Sequence, residues 1–193
     1  MKNEDRWSPT KYVQRGGRWR ASRDEAEVGV GSRLVADAVV ALYAEHLPRH
    51  AHGDLADLGC GKAPLYALYR PHARSCTLLD WAEALHPNPH LDLMADLNQP
   101  LPLPDRSFDT LVLSDVLEHI ARPEPLWAEL ARLLRPGGRL LMNVPFLYGI
   151  HEAPHDHARY TAFGLRRFAS AHGLSVLLLI PVGGSLAVIA DLV

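Results

Sequence analysis

Leu55-Ala56-Asp57-Leu58-Gly59-Cys60-Gly61-Lys62 joins a short apolar run to a turn with two glycines, and its reading decides the fold. Residues 55–58 predict a short buried strand. Gly59 and Gly61 carry no Cβ, so the backbone there can pass close to a ligand. A helix is expected to start at Ala63-Pro64-Leu65-Tyr66-Ala67-Leu68-Tyr69. A second acid, Asp80, closes the next apolar run, Cys76-Thr77-Leu78-Leu79. Acid, glycine turn, helix and second acid together point to a nucleoside-binding α/β enzyme.

A dinucleotide site of the G-x-G-x-x-G kind is the competing reading, and it fails twice. It needs glycine where this chain has Pro64. Asp57 would also repel a diphosphate, whereas it would attract an ammonium group.

Upstream of the turn, Leu34, Val35, Ala38, Val39, Leu42 and Tyr43 recur at one-sided helical spacing, which predicts a helix ending before Pro48. Downstream, residues 91–96 read as a third, weaker strand after a polar segment containing Pro87 and Pro89. Residues 108–115 are a continuous apolar run ending in Ser114 and Asp115, as expected of a parallel strand buried on both faces. A helix over 123–134 is stopped by Pro136-Gly137-Gly138, and a strand over 139–144 leads into a His-rich loop. Thr161 then caps a helix to His172, Gly173 follows, and residues 174–182 read as a last apolar strand. This alternation predicts one α/β domain, a Rossmann-like doubly wound and mostly parallel sheet with helices on both faces. Ligands then belong at the carboxyl ends of the strands, where the strand order reverses. The domain spans residues 31–193. Residues 1–30 are rich in Arg, Gly and Trp, lack periodicity over Arg15-Gly16-Gly17-Arg18-Trp19-Arg20, and read as an arm or lid.

A chain of 193 residues suits a single domain that buries its own core without staples. With 48% hydrophobic residues, 22% charged residues and a net charge of −2, nothing calls for a nucleic-acid partner. Cys60 and Cys76 lie in or beside predicted strands and read as structural thiols in a reducing cytoplasm. The start, Met1-Lys2-Asn3-Glu4-Asp5, has no apolar core for a signal peptide, and no stretch is long enough to span a bilayer. A cytoplasmic protein without stable membrane insertion is expected. The apolar segment from Ser185 to Val193 reads as an interrupted helix or one that docks on something.

Several motifs in order, Asp57-Leu58-Gly59-Cys60-Gly61-Lys62-Ala63, Asp80, Asp96-Leu97 and Ser114-Asp115, resemble those of the class I S-adenosylmethionine-dependent methyltransferases, in particular the methyltransferase type 11 group. Their first motif has a third glycine where this chain has Ala63, a residue small enough for close helix–strand packing. The resemblance spans roughly residues 54–182. It implies S-adenosyl-L-methionine as cofactor, S-adenosyl-L-homocysteine as product, and methyl transfer to an oxygen or nitrogen of a small-molecule acceptor. It also implies a final antiparallel strand beside the fifth, for which no candidate follows Val182, so that strand is expected to be lacking.

On this resemblance, Gly59, Cys60 and Gly61 pass beneath the methionine part of the cofactor and Asp57 lies near its ammonium. Asp80 accepts from both ribose hydroxyls, as a carboxylate with several lone pairs can. Trp81 either stacks on the adenine or simply packs. Asp96 and the Leu97 amide hold the adenine amino group, helped by Asn98. Ser114 and Asp115 face the sulfonium and the acceptor, unless Asp115 merely caps a turn. Asp115-Val116-Leu117-Glu118-His119 is similar to the Glu-x-x-Glu-His segment of quinone-biosynthesis O-methyltransferases, where a divalent metal binds. The plainer reading, that Glu118 and His119 order the loop, is preferred, and no metal is assigned.

The loop from Asn143 to Thr161 gathers His151, His155, His157, Glu152, Asp156, Arg159, Tyr148 and Tyr160 at the functional end of the sheet. His151 or His155 is the candidate general base, since imidazole titrates near the working pH. A metal held by His151, His155 and His157 is disfavoured by a spacing that is neither helical nor finger-like. Asp156 and Arg159 either pin the loop as an ion pair or bind the substrate. In the arm, Lys11, Tyr12, Arg15, Arg18, Trp19, Arg20 and Arg23 either close over the donor and present guanidinium groups to the acceptor or form a solvated basic tail. The alternative to an enzyme is a non-catalytic methyltransferase-like domain acting through a protein partner. A homodimer is left open.

Overall fold

A computed structural model describes residues 1–82 and 88–183. The segment from Ser185 to Val193 lies outside the described residues.

The elements run β1 (Tyr12–Arg15), β2 (Arg18–Ala21), α1 (Arg33–His50), β3 (Asp54–Leu58), α2 (Tyr66–Tyr69), β4 (Ser75–Asp80), β5 (Leu93–Met94), β6 (Phe108–Ser114), α3 (Pro123–Leu133), β7 (Leu134–Asn143) and α4 (Ala162–Ala171). Strands β3 to β7 form one parallel sheet in the order β5-β4-β3-β6-β7. The order reverses between β3 and β6. Their carboxyl ends, Leu58 and Ser114, therefore flank the crevice where such sheets bind ligands.

Successive residues of a strand point to opposite faces, so each central strand feeds two cores. Leu55, Leu78 and Val112 meet Val40 and Leu47 of α1 and Tyr69 of α2. Ala56, Leu79, Leu111 and Leu113 meet Leu126, Trp127, Leu130 and Leu133 of α3. At the amino end of the sheet, Arg135 donates to both Asp109 (2.6 Å) and Asp54 (3.0 Å), locking the edge opposite the crevice.

Five expectations need correction. Residues 15–20 are not aperiodic: they turn the antiparallel hairpin β1–β2, because Gly16 and Gly17, at φ 57° and 73°, supply the two left-handed positions that a two-residue hairpin turn demands. Helix α1 runs through Pro48, since only the one amide that proline lacks is lost and Leu47 is buried by the continuation. The helix expected from Ala63 shrinks to the single turn α2, because Ala63 sits at φ 55° and a 3₁₀ turn over Arg70–His72 follows, with Pro71 inside it. The strand expected over 91–96 is only Leu93–Met94: Asp92 still donates its amide to Leu78 O at 2.9 Å, but its carboxylate takes the Leu78 amide, at 2.9 Å, in place of a backbone carbonyl. Residues 174–182 are not a strand. Leu174 and Val176 pack on the core, but among the described residues no strand lies beside them to share a ladder, nor does the sheet contain an antiparallel strand.

Candidate methyl-donor and acceptor site

The turn after β3 is shaped by its backbone. Gly59, at φ 70°, donates its amide to Leu79 O (2.8 Å), and a Cβ there would meet Val116 Cγ2 at 2.6 Å. Gly59→Ala should therefore lower stability by about 1–3 kcal/mol through the left-handed backbone and the clash. Thermal denaturation reads this directly, and an unchanged midpoint would show that the turn relaxes freely. A Cβ on Gly61 would meet nothing within 4 Å, so open space lies directly over the second glycine. Cys60 turns its side chain into the core at 4% exposure, where burial pushes the thiol well above its ordinary range. Only its backbone belongs to the turn.

Asp57 is buried and lines the crevice. The Tyr69 hydroxyl donates to it at 2.9 Å. Burial, reinforced by the nearby Asp80 charge, outweighs that bond and pushes the Asp57 carboxyl up to about 7. Asp80 ends β4 and accepts from the Gly61 amide (2.7 Å) and the Trp81 amide (2.8 Å), which orients its carboxylate over the turn. Asn88 closes the far side by donating to Gly61 O at 2.6 Å.

Just past the end of β5, Asp96 spends one carboxylate oxygen on the Asn98 amide and side chain, at 2.8 and 3.0 Å, while Leu97 is buried against the α3 core. Trp81 meets the His155 ring edge-on at 5.1 Å, tying the end of β4 to the His-rich loop. Asp115 stands at φ 56°, held by Asn143 Nδ2, by Lys11 Nζ at 3.2 Å and by Ser114 Oγ at 3.4 Å. In return Asp115 raises the Lys11 ammonium above its ordinary value. The Tyr12 and Tyr43 hydroxyls are buried beside this cluster without hydrogen-bond partners. Burial pushes Tyr12 up to about 12.

The His-rich loop is pinned as expected: Arg159 donates to both oxygens of Asp156, and Asp156 also accepts from the His151 amide at 3.0 Å. Arg159 reaches Gly149 O as well, at 3.1 Å. His151 packs against Tyr148 and His119, whereas His155 is exposed at the rim. Glu118 is wholly buried. Its desolvation, aided by Asp115, pushes its carboxyl up to about 8.

Sequence reasoning missed Lys11 as the partner of Asp115, Asn88 over the glycine turn, and the bond of 2.6 Å between Ser32 Oγ and the Tyr148 hydroxyl that joins α1 to the loop. Only Lys11 left a signal, as a cation in the arm. The other two depend on the folded crevice.

An acid and a glycine turn at the carboxyl end of β3 thus face a second acid at the end of β4, beside the switch point of a parallel α/β sheet. Residues 56–142 match a family model described as a methyltransferase domain. A protein of Mycolicibacterium smegmatis named as a probable S-adenosylmethionine-dependent methyltransferase is 33% identical over 54% of this chain and 42% of its own. The malonyl-[acyl-carrier protein] O-methyltransferase of Hahella chejuensis is 30% identical over 71% of this chain and 51% of its own. The chain thus spans about half the length of these curated relatives, or less. Among solved structures, an S-adenosylmethionine-dependent methyltransferase from Aquifex aeolicus shares the fold at a TM-score of 0.57, 18% identity, covering 79% of this chain and 87% of that one. The comparisons support a class I S-adenosylmethionine-dependent methyltransferase domain over residues 56–142, whose cofactor would be S-adenosylmethionine. The site fits that molecule: the space over Gly61 is open, and the buried Asp57 offers a carboxylate to an ammonium.

Proposed function

We propose that the chain transfers a methyl group to an oxygen or nitrogen of a small-molecule acceptor. The observation that carries this is the meeting of Asp57, Gly59, Gly61 and Asp80 at one end of the sheet, at the reversal of strand order. When bound, S-adenosylmethionine supplies an electrophilic methyl on a sulfonium whose departure needs no acid. The residues have the remaining work of binding, alignment and deprotonation of the acceptor, and alignment alone supplies several kcal/mol.

Asp57 takes the ammonium, Asp80 the ribose hydroxyls, and Asp96 with Leu97 the adenine edge. Ser114 and Asp115 border the place of the methyl, where Asp115, oriented by Lys11 and Asn143, steers the acceptor. His155 is the stronger of the two candidate bases: it is exposed at the rim, whereas His151 already faces Glu118 and Asp156. Residues 1–30 act as the lid, an assignment supported by Thr10, Lys11 and Tyr12 lining the crevice. No helix among the described residues is long and apolar enough to cross a membrane. Work in the cytoplasm, as monomer or homodimer, is the reading we adopt.

Exposed Phe146, Leu147, Ile150, Phe163, Leu177 and Leu178 support a second reading, a domain that works through a protein partner. The two separate by experiment. Purified protein with S-adenosylmethionine should release S-adenosylhomocysteine with at least one member of a panel of phenols, carboxylates and amines, and His155→Ala should slow that turnover. Normal cofactor binding with no release across the panel would favour the partner-dependent reading.

A further inference from the structure

Glu118 presents a problem that the donor site does not solve. It follows β6 in a 3₁₀ turn over Leu117–His119, its side chain has 0% exposure, and neither carboxylate oxygen has a hydrogen-bond partner. A polar group buried without partners costs several kcal/mol unless something compensates it. Two imidazoles face it. His119 Nε2 and His151 Nε2 each lie 3.7 Å from Glu118 Oε1, too far to hydrogen-bond. All three ligand-type atoms fall within 4.8 Å of one another. A tetrahedral zinc site with bonds of about 2.0–2.1 Å spaces its ligand atoms by about 3.3–3.4 Å, so small side-chain rotations close the gap.

Both rings are also oriented as metal-ligand histidines are, by a bond on the other nitrogen. His119 Nδ1 lies 3.0 Å from His155 O, and His151 Nδ1 lies 3.1 Å from Gly149 O, with Asp156 Oδ2 at 3.4 Å. The backbone braces the pair of segments as well: Glu118 O accepts from the His157 and Ala158 amides at 2.8 and 3.2 Å. Asp115 takes no part, because Lys11 and Asn143 already hold it. Neither His155 nor His157 belongs to the trio.

We propose that Glu118, His119 and His151 form a binding site for one divalent cation of the zinc class, with Glu152, whose carboxylate lies 3.9 Å from His119 Nε2, at hand as a fourth ligand. Two imidazoles and one carboxylate suit zinc and its neighbours in the first transition row, and suit magnesium poorly. The ion would clamp the His-rich loop onto the turn after β6.

The test uses the full chain, stripped with a chelator and titrated with Zn²⁺ by calorimetry, without methyl donor. One ion per chain is expected, weakened about 100-fold by His151→Ala and by Glu118→Gln, each checked for an unchanged fold by circular dichroism. Substitution with Co²⁺ should give the visible absorption of a tetrahedral N/O site in the wild type only. His46 and His50 stack one helical turn apart on α1 and make an obvious competing site. His46→Ala should leave the binding unchanged. Loss of binding in His46→Ala with retention in His151→Ala and Glu118→Gln, or no stoichiometric Zn²⁺ uptake at all, overturns the proposal. Because no cofactor is present, failure here leaves the methyl-transfer reading standing.

Discussion

Asp80→Ala is expected to weaken S-adenosylhomocysteine binding at least 100-fold in a calorimetric titration, without unfolding the protein. Hydrogen bonds to a charged acceptor contribute about 1.5–3 kcal/mol each, and two of them on the ribose amount to roughly 10² to 10⁴ in Kd. The amides of Gly61 and Trp81 aim that carboxylate along the end of β4, so its loss removes a pre-oriented acceptor. The sheet itself loses nothing, because Asp80 is the last residue of the strand. Asp80→Asn keeps the shape and discards the charge, and should fall between wild type and Asp80→Ala. A change within threefold for Asp80→Ala would remove this residue from the nucleoside site.

The second large effect is on pH. Burial pushes the Asp57 carboxyl up to about 7, with Asp80 adding to the shift and Tyr69 opposing it. An ammonium ligand favours the ionised carboxylate. Below pH 7 the free protein holds a proton that binding must expel, so affinity for S-adenosylhomocysteine should fall as pH falls, by up to about tenfold per unit. Above pH 7 it should level off. Asp57→Asn should bind weakly and show no such slope between about pH 5.5 and 8. The sign for stability runs the other way. With its folded value raised, Asp57 stabilises the unliganded protein below the ordinary carboxylate range and loses that contribution as pH climbs toward 7. A flat affinity profile for wild type would mean that the ammonium binds elsewhere.

Much of the architecture was legible because it is written in local, periodic signals. Apolar runs ending in Gly59, Asp80 and Ser114 announce buried parallel strands, and Thr161 announces its helix by a cap whose hydroxyl accepts from the Gly164 amide at 3.1 Å. The hairpin escaped because its strands are four residues each and rich in Arg. Its signal was the Gly16-Gly17 pair alone. Residues 174–182 misled for the opposite reason, since an apolar run states a tendency to be buried and a strand also needs a neighbour. At the site, Asp57, Gly59, Gly61 and Asp80 come together at the carboxyl end of the sheet. The grouping of Glu118, His119 and His151 was illegible, because it exists only once the loop folds back over the turn after β6.

The contacts that close the crevice join distant parts of the chain. Lys11 reaches Asp115 across 104 residues, and Ser32 reaches Tyr148 across 116. Lys11 directly precedes the hairpin, whereas its partner Asp115 follows β6 and Tyr148 lies in the loop after β7. Loop closure over such separations comes late, after the local turns and helices have formed. The crevice therefore closes in one late step, when the segment around Lys11 docks on residues more than a hundred positions further along the chain.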